Sequence, residues 1–85
     1  MSDWLPSLQS SAAKIIQRRG LPFPVNIEVL DNVERMLLTM TATHRDNNGV
    51  THFSKVGTLH LPSGDYTARF TAGENVFSEP FQVHA

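Results

Sequence analysis

The sequence predicts a mainly β chain, α+β by count: a small antiparallel β-sandwich of about six or seven strands behind one N-terminal amphipathic helix. Three observations predict it. The stretch Leu59-His60-Leu61-Pro62-Ser63-Gly64-Asp65-Tyr66-Thr67-Ala68-Arg69-Phe70 reads as a short apolar strand, a tight turn and a second strand in strict alternation. Other alternating apolar runs recur at short intervals, separated by Asn-, Asp- and Gly-rich turns. The first twenty or so residues instead carry their apolar side chains at helical spacing. With 85 residues the chain makes one domain, with the helix in 1–20 and the sandwich in 24–84.

The helix is expected from about residue 4 to 19. Ser2 or Asp3 can cap it, and Pro6 is tolerated in a first turn whose amides have no intrahelical acceptor. Trp4, Leu5, Leu8, Ala12, Ile15 and Ile16 fall within an arc of about 120° on a helical wheel, opposite Ser7, Ser10, Lys14 and Arg18. Arg18 and Arg19 suit the negative end of the helix dipole. Gly20 followed by Leu21 fits a left-handed cap with an apolar contact, and Pro22 forbids continuation. Arg19 falls inside the apolar arc, so its guanidinium must snorkel past the sheet or meet a carboxylate.

Leu21-Pro22-Phe23-Pro24 is a stiff linker into the first strand, Val25-Asn26-Ile27-Glu28-Val29, which ends at the Asp31-Asn32 turn. A longer strand over 36–45 follows. Asp46-Asn47-Asn48-Gly49 is the strongest hairpin signal in the chain, and the return strand is expected over 50–56. Gly57 marks a bulge or a change of sheet. After the organising stretch, Tyr66, Ala68, Phe70 and Ala72 share one face and Thr67, Arg69 and Thr71 the other. A turn at Ala72-Gly73-Glu74-Asn75 leads to a last strand over 76–83, which Pro80 assigns to an edge or a bulge.

The turn Leu61-Pro62-Ser63-Gly64-Asp65-Tyr66 resembles the Leu-Pro-x-Gly-x-Tyr turn of carboxypeptidase-regulatory and transthyretin-like sandwiches, and the upstream Asp46-Asn47-Asn48-Gly49 hairpin is similar to theirs. The segment Ser78-Glu79-Pro80-Phe81-Gln82-Val83 suits the last strand of a fibronectin-III-like or immunoglobulin-like module. The resemblance covers about half the chain and implies a sandwich fold. One enzyme family on this fold, the hydroxyisourate hydrolases, carries a Tyr-Arg-Gly-Ser terminus; here the chain ends Gln82-Val83-His84-Ala85, so that activity is not implied.

Composition narrows the function classes. A formal net charge of −1 leaves no basic footprint for nucleic acid. The absence of cysteine removes disulfides and thiolate metal sites. The N-terminus lacks the basic and apolar regions of a secretory signal, and no apolar run approaches the roughly 20 residues of a membrane span, so the expected setting is cytoplasmic, with no membrane partner.

Four histidines, His44, His52, His60 and His84, are the only group whose number suggests metal or acid-base chemistry. If the Asp46-Asn47-Asn48-Gly49 hairpin closes with a two- or four-residue loop, His44 and His52 project from opposite faces; only a three-residue loop aligns them. With no His-x-His or His-Glu-x-x-His spacing, they read as strand and turn residues, and neither a metal nor another cofactor is expected. No serine has nucleophile-elbow context. Nearly all of the carboxylates Glu28, Glu34, Asp65, Glu74 and Glu79 fall in or beside predicted turns, where solvated charge is the ordinary reading.

The sequence therefore points to a non-enzymatic protein-binding module. One version is a small phage or mobile-element protein that inhibits a host machine. Alternatives are a structural subunit of a particle or secretion assembly, self-associating through open strand edges, and a sandwich that binds a small ligand or carbohydrate. The candidate partner-binding residues are Trp4, Arg18, Arg19, His52 and Arg69.

Overall fold

The computed structural model describes residues 4–54 and 61–84, and for Trp4 only the backbone. Helix α1 spans Trp4–Arg19. Five strands follow: β1 Val25–Leu30, β2 Met36–Arg45, β3 Thr51–Phe53, β4 Gly64–Ala72 and β5 Asn75–Val83. They form one antiparallel sheet in the order β3-β2-β1-β4-β5. A three-strand meander followed by a fourth strand beside the first is a Greek key, to which β5 adds a hairpin.

This corrects the expected architecture. Among the described residues there are five strands in one sheet, where six or seven strands in two facing sheets were expected. Alternation reports that one face of a strand is buried, but not by what. Here α1 forms the second layer. Its Leu8, Ala12 and Ile16 join Val25, Ile27 and Val29 of β1, Met40 and Ala42 of β2, and Tyr66, Ala68, Phe70 and Ala72 of β4 in a single core. The expected 50–56 strand is ordered ladder only over Thr51–Phe53. Gly57, Leu59 and His60 lie outside the described residues, and Leu61 enters the core without belonging to a strand.

The register explains the packing. Met40 and Phe70 both stand opposite Ile27, and Phe77 stands opposite Phe70, so one row of large side chains crosses four strands beneath the helix. The Phe70 and Phe77 rings stack at 5.0 Å between centroids. Burial of each such side chain contributes roughly 1.5–3 kcal/mol before ordering entropy is counted. Because helix α1 covers only this face, β1 as far as Val29 and β4 from Tyr66 alternate buried positions with half-buried or exposed ones, which an antiparallel sheet permits.

Local chemistry fixes the ends. Gly20 has φ +63°; its N–H bonds the Gln17 carbonyl and the Leu21 N–H bonds the Ile16 carbonyl, which is a Schellman cap with buried Leu21 as its apolar contact. At the start of β4 the Tyr66 hydroxyl donates to the Pro62 carbonyl at 2.7 Å, the arrangement known in Greek-key proteins as a tyrosine corner. Pro80 sits on β5, an outer strand, as its missing donor requires. No helix among the described residues is long and apolar enough to cross a membrane.

Candidate functional site

The face of the sheet that α1 leaves uncovered is built in rows. Residues that alternate with the core positions meet across the strands as Thr41, Asn26, Thr71 and Val76, and then as Thr39, Glu28, Arg69 and Ser78. Apart from Val76, which is apolar and 60% exposed, these side chains are polar and surround one charge pair. Arg69 Nε donates to Glu28 Oε1 at 2.8 Å. That bond holds the Glu28 carboxyl below its usual range and makes Arg69 still harder to deprotonate.

Two hairpin turns close this face at opposite ends of β2, and they are built alike. In the first, Asp31 N–H donates to the Arg35 carbonyl and Glu34 N–H to the Asp31 carbonyl, both at 3.0 Å; Asp31 Oδ1 accepts from the Val33 and Arg35 amides and Oδ2 from Arg35 Nε. In the second, Asp46 N–H donates to the Val50 carbonyl and Gly49 N–H to the Asp46 carbonyl; Asp46 Oδ1 accepts from the Asn48 and Val50 amides and Oδ2 takes His52 Nε2 at 2.7 Å. Each is a type I turn closed by a left-handed residue, the three-residue loop that an Asx cap favours. Both carboxyls are held below the usual range. For Asp31 the largest single cause is the Arg35 backbone N–H, and for Asp46 it is the His52 ring.

The turns differ at the left-handed position. In the second it is Gly49, φ +80°; in the first it is Glu34, φ +65°, the one non-glycine residue with positive φ among those described. Around Glu34 the apolar side chains are turned outward: Val33 is 63% exposed, Met36 57% and Leu37 36%. Leu37 is the extra residue at the irregularity of the β1–β2 ladder, between Met36 opposite Leu30 and Leu38 opposite Val29. Met36 stands opposite Leu30, which is 7% exposed, so the tip continues into an apolar corner of the sheet.

The second turn settles the histidines. Its loop is the three-residue form, residues 47–49, so His44 stands opposite His52. An irregularity between Ala42 and His44 then lets both rings leave the core face that Ala42 and Phe53 share. The imidazoles stack with centroids 4.6 Å apart and planes 4° from parallel.

The five sequence-predicted contact residues do not form one patch. Arg69 and His52 are on the helix-free side, separated by β1 and β2. Arg19 lies on the helix side with its guanidinium 4.0 Å over the Phe77 ring and 3.5 Å from Glu79 Oε1, so it both snorkels and meets a carboxylate. It borders a cleft of about 320 Å³ lined with Leu21, Asn75, Val76 and Phe77. Arg18 is solvated on the outer face of α1, and the Trp4 side chain is outside the described structure. The sequence reading missed Val33, Glu34, Met36 and Leu37. The available signal was the repeated Asp-Asn at 31–32 and 46–47, which announces two turns of one kind, one of them lacking its glycine.

Compared with known proteins, the chain matches no family model, no curated protein and no solved structure.

Proposed function

We propose that the chain is a non-catalytic protein-binding module that meets its partner with the helix-free face of the sheet, using Val33, Met36 and Leu37 as the apolar anchor and the polar rows as the surrounding rim. The observation that carries this reading is the outward apolar tip built around Glu34 at φ +65°. Interfaces are enriched in Met and Arg and ring their central contacts with polar ones, and the tip places Arg35 beside Met36. A catalytic reading finds less support. The carboxylates Glu28, Asp31 and Asp46 are each engaged by an internal cation or ring, Arg69, Arg35 and His52. The likeness of the Leu61-Pro62-Ser63-Gly64-Asp65-Tyr66 turn to transthyretin-like modules, with its tyrosine corner, favours a module of the same habit.

The narrower versions differ only in the partner that this surface meets. A phage or mobile-element inhibitor would capture a host machine, a particle subunit would capture assembly proteins or itself, and a sugar-binding module would capture glycan. The test is co-purification of the chain against a variant carrying Val33→Ser, Met36→Ser and Leu37→Ser. A stoichiometric protein partner retained by the first and lost by the second, at equal thermal stability, is the expected result. Equal capture by both would remove this face from the account, and a substrate converted by the purified chain would overturn the reading as a whole.

A further inference from the structure

We propose that the stacked pair His44 and His52 is a proton-operated clamp on edge strand β3: with one proton or none the pair holds β3 against β2, and with two it releases the strand. β3 is three residues long and outermost in the sheet, and His52 is its middle residue. Its described ladder partners are Ala42, His44 and Arg45, and two hydrogen bonds join Ser54 to Thr41 just beyond it. Phe53 anchors that end of the strand on the core, so the imidazole stack acts at the loop end, where no core contact holds His52.

The hydrogen bonds assign the protons. Thr43 Oγ1 donates to the His52 carbonyl at 3.2 Å, which uses its only hydrogen. The 3.0 Å contact between Thr43 Oγ1 and His44 Nδ1 must then be donated by the ring, which leaves His44 Nε2 as the free basic nitrogen. His52 Nε2 donates to Asp46 Oδ2 at 2.7 Å, and Asp46 also holds the loop amides of Asn48 and Val50, so a charged His52 ring strengthens the hairpin. A second proton, on His44 Nε2, places two cationic rings face to face at 4.6 Å with one carboxylate between two charges. The other described charges near this corner do not offset it: Lys14 of α1, across a cleft from Thr51 and Phe53, is a further cation, Arg45 lies toward Phe23 on the helix side, and Glu28 on β1 is engaged by Arg69 of β4.

Like charges at this separation weaken an equilibrium by about fivefold even with water screening. Release of β3 uncovers the β2 edge over residues 42–45 to another strand, so acid exchanges an internal pairing for a docking edge. The clamp concerns this edge alone and does not depend on the apolar tip.

The experiment is amide hydrogen exchange of the intact chain by NMR at pH 7.5 and pH 5, corrected for intrinsic rates. The expected result is that protection at Thr51, His52 and Phe53 falls about fivefold or more in acid while β1 amides hold theirs. His44→Gln and His52→Gln each leave one titrating ring, and each should abolish the acid-dependent fall whatever its basal protection. A wild-type β3 whose protection does not change with pH overturns the clamp, as does a fall that persists in both variants.

Discussion

The two hairpin turns of this sheet share a hydrogen-bond plan down to the individual carboxylate oxygens, yet one is ordinary and the other is strained. Asp46 closes its turn onto Gly49, beside solvated Asn47 and Asn48 and one exposed apolar residue, Val50 at 54%. Asp31 closes the same loop onto Glu34 and surrounds it with three exposed apolar residues, Val33, Met36 and Leu37. Where one plan is executed twice in one molecule, the position at which the copies diverge separates what folding requires from what it merely tolerates. Folding uses the Asp in both turns; it tolerates Glu34 and the exposed apolar tip in the first, and the proposed contact role rests on that difference.

The largest effect on this comparison should come from removing the shared element. Asp31→Ala and Asp46→Ala each strip two loop amides of their acceptor and one side chain of its partner, and thermal unfolding should show a marked loss in both. Asp31 is the more enclosed of the two, so its loss should be the greater. Next comes the cross-substitution Gly49→Glu. Nothing lies within 4 Å of a Cβ built at Gly49, so the cost is backbone conformation alone, about 1–2 kcal/mol. The converse, Glu34→Gly, should stabilise by about 0.5–1 kcal/mol, less than the strain relieved because glycine also gains unfolded-state freedom. An unchanged stability in urea titrations of Glu34→Gly would mean that the tip carries no stored strain.

The smallest effect at neutral pH is electrostatic and emerges in acid. Glu28, Asp31 and Asp46 hold their protons less tightly when folded than when unfolded, so the unfolded chain takes up more protons as pH falls. Their contribution is complete above the ordinary carboxylate range, about pH 4, and is lost as pH drops below it. Stability measured between pH 5 and pH 2 should therefore fall in the wild type and fall less steeply in Asp31→Asn and Glu28→Gln.

Much of the fold was legible because it rests on local chemistry. The wheel of Leu8, Ala12 and Ile16 and the Gly20-Leu21 cap locate α1, and the alternation in 36–45 gives β2 its full length. The second layer was not legible, since Tyr66, Ala68, Phe70 and Ala72 alternate identically beneath a helix or a sheet. The pairing of His44 with His52 depended on one loop length, a parity question that Asp46-Asn47-Asn48-Gly49 leaves open until the Asp46 cap is seen. Val33, Met36 and Leu37 escaped notice because apolar residues beside a turn read as strand ends. Only their exposure, together with the φ of Glu34, distinguishes them.

The most direct test places a photo-crosslinking side chain at Met36, and for comparison at Gln17 on the solvated side of α1, in cells that make the chain. A discrete protein adduct from position 36 and none from 17 is the outcome this account predicts. Adducts of equal yield from both positions, or from 17 alone, would contradict it.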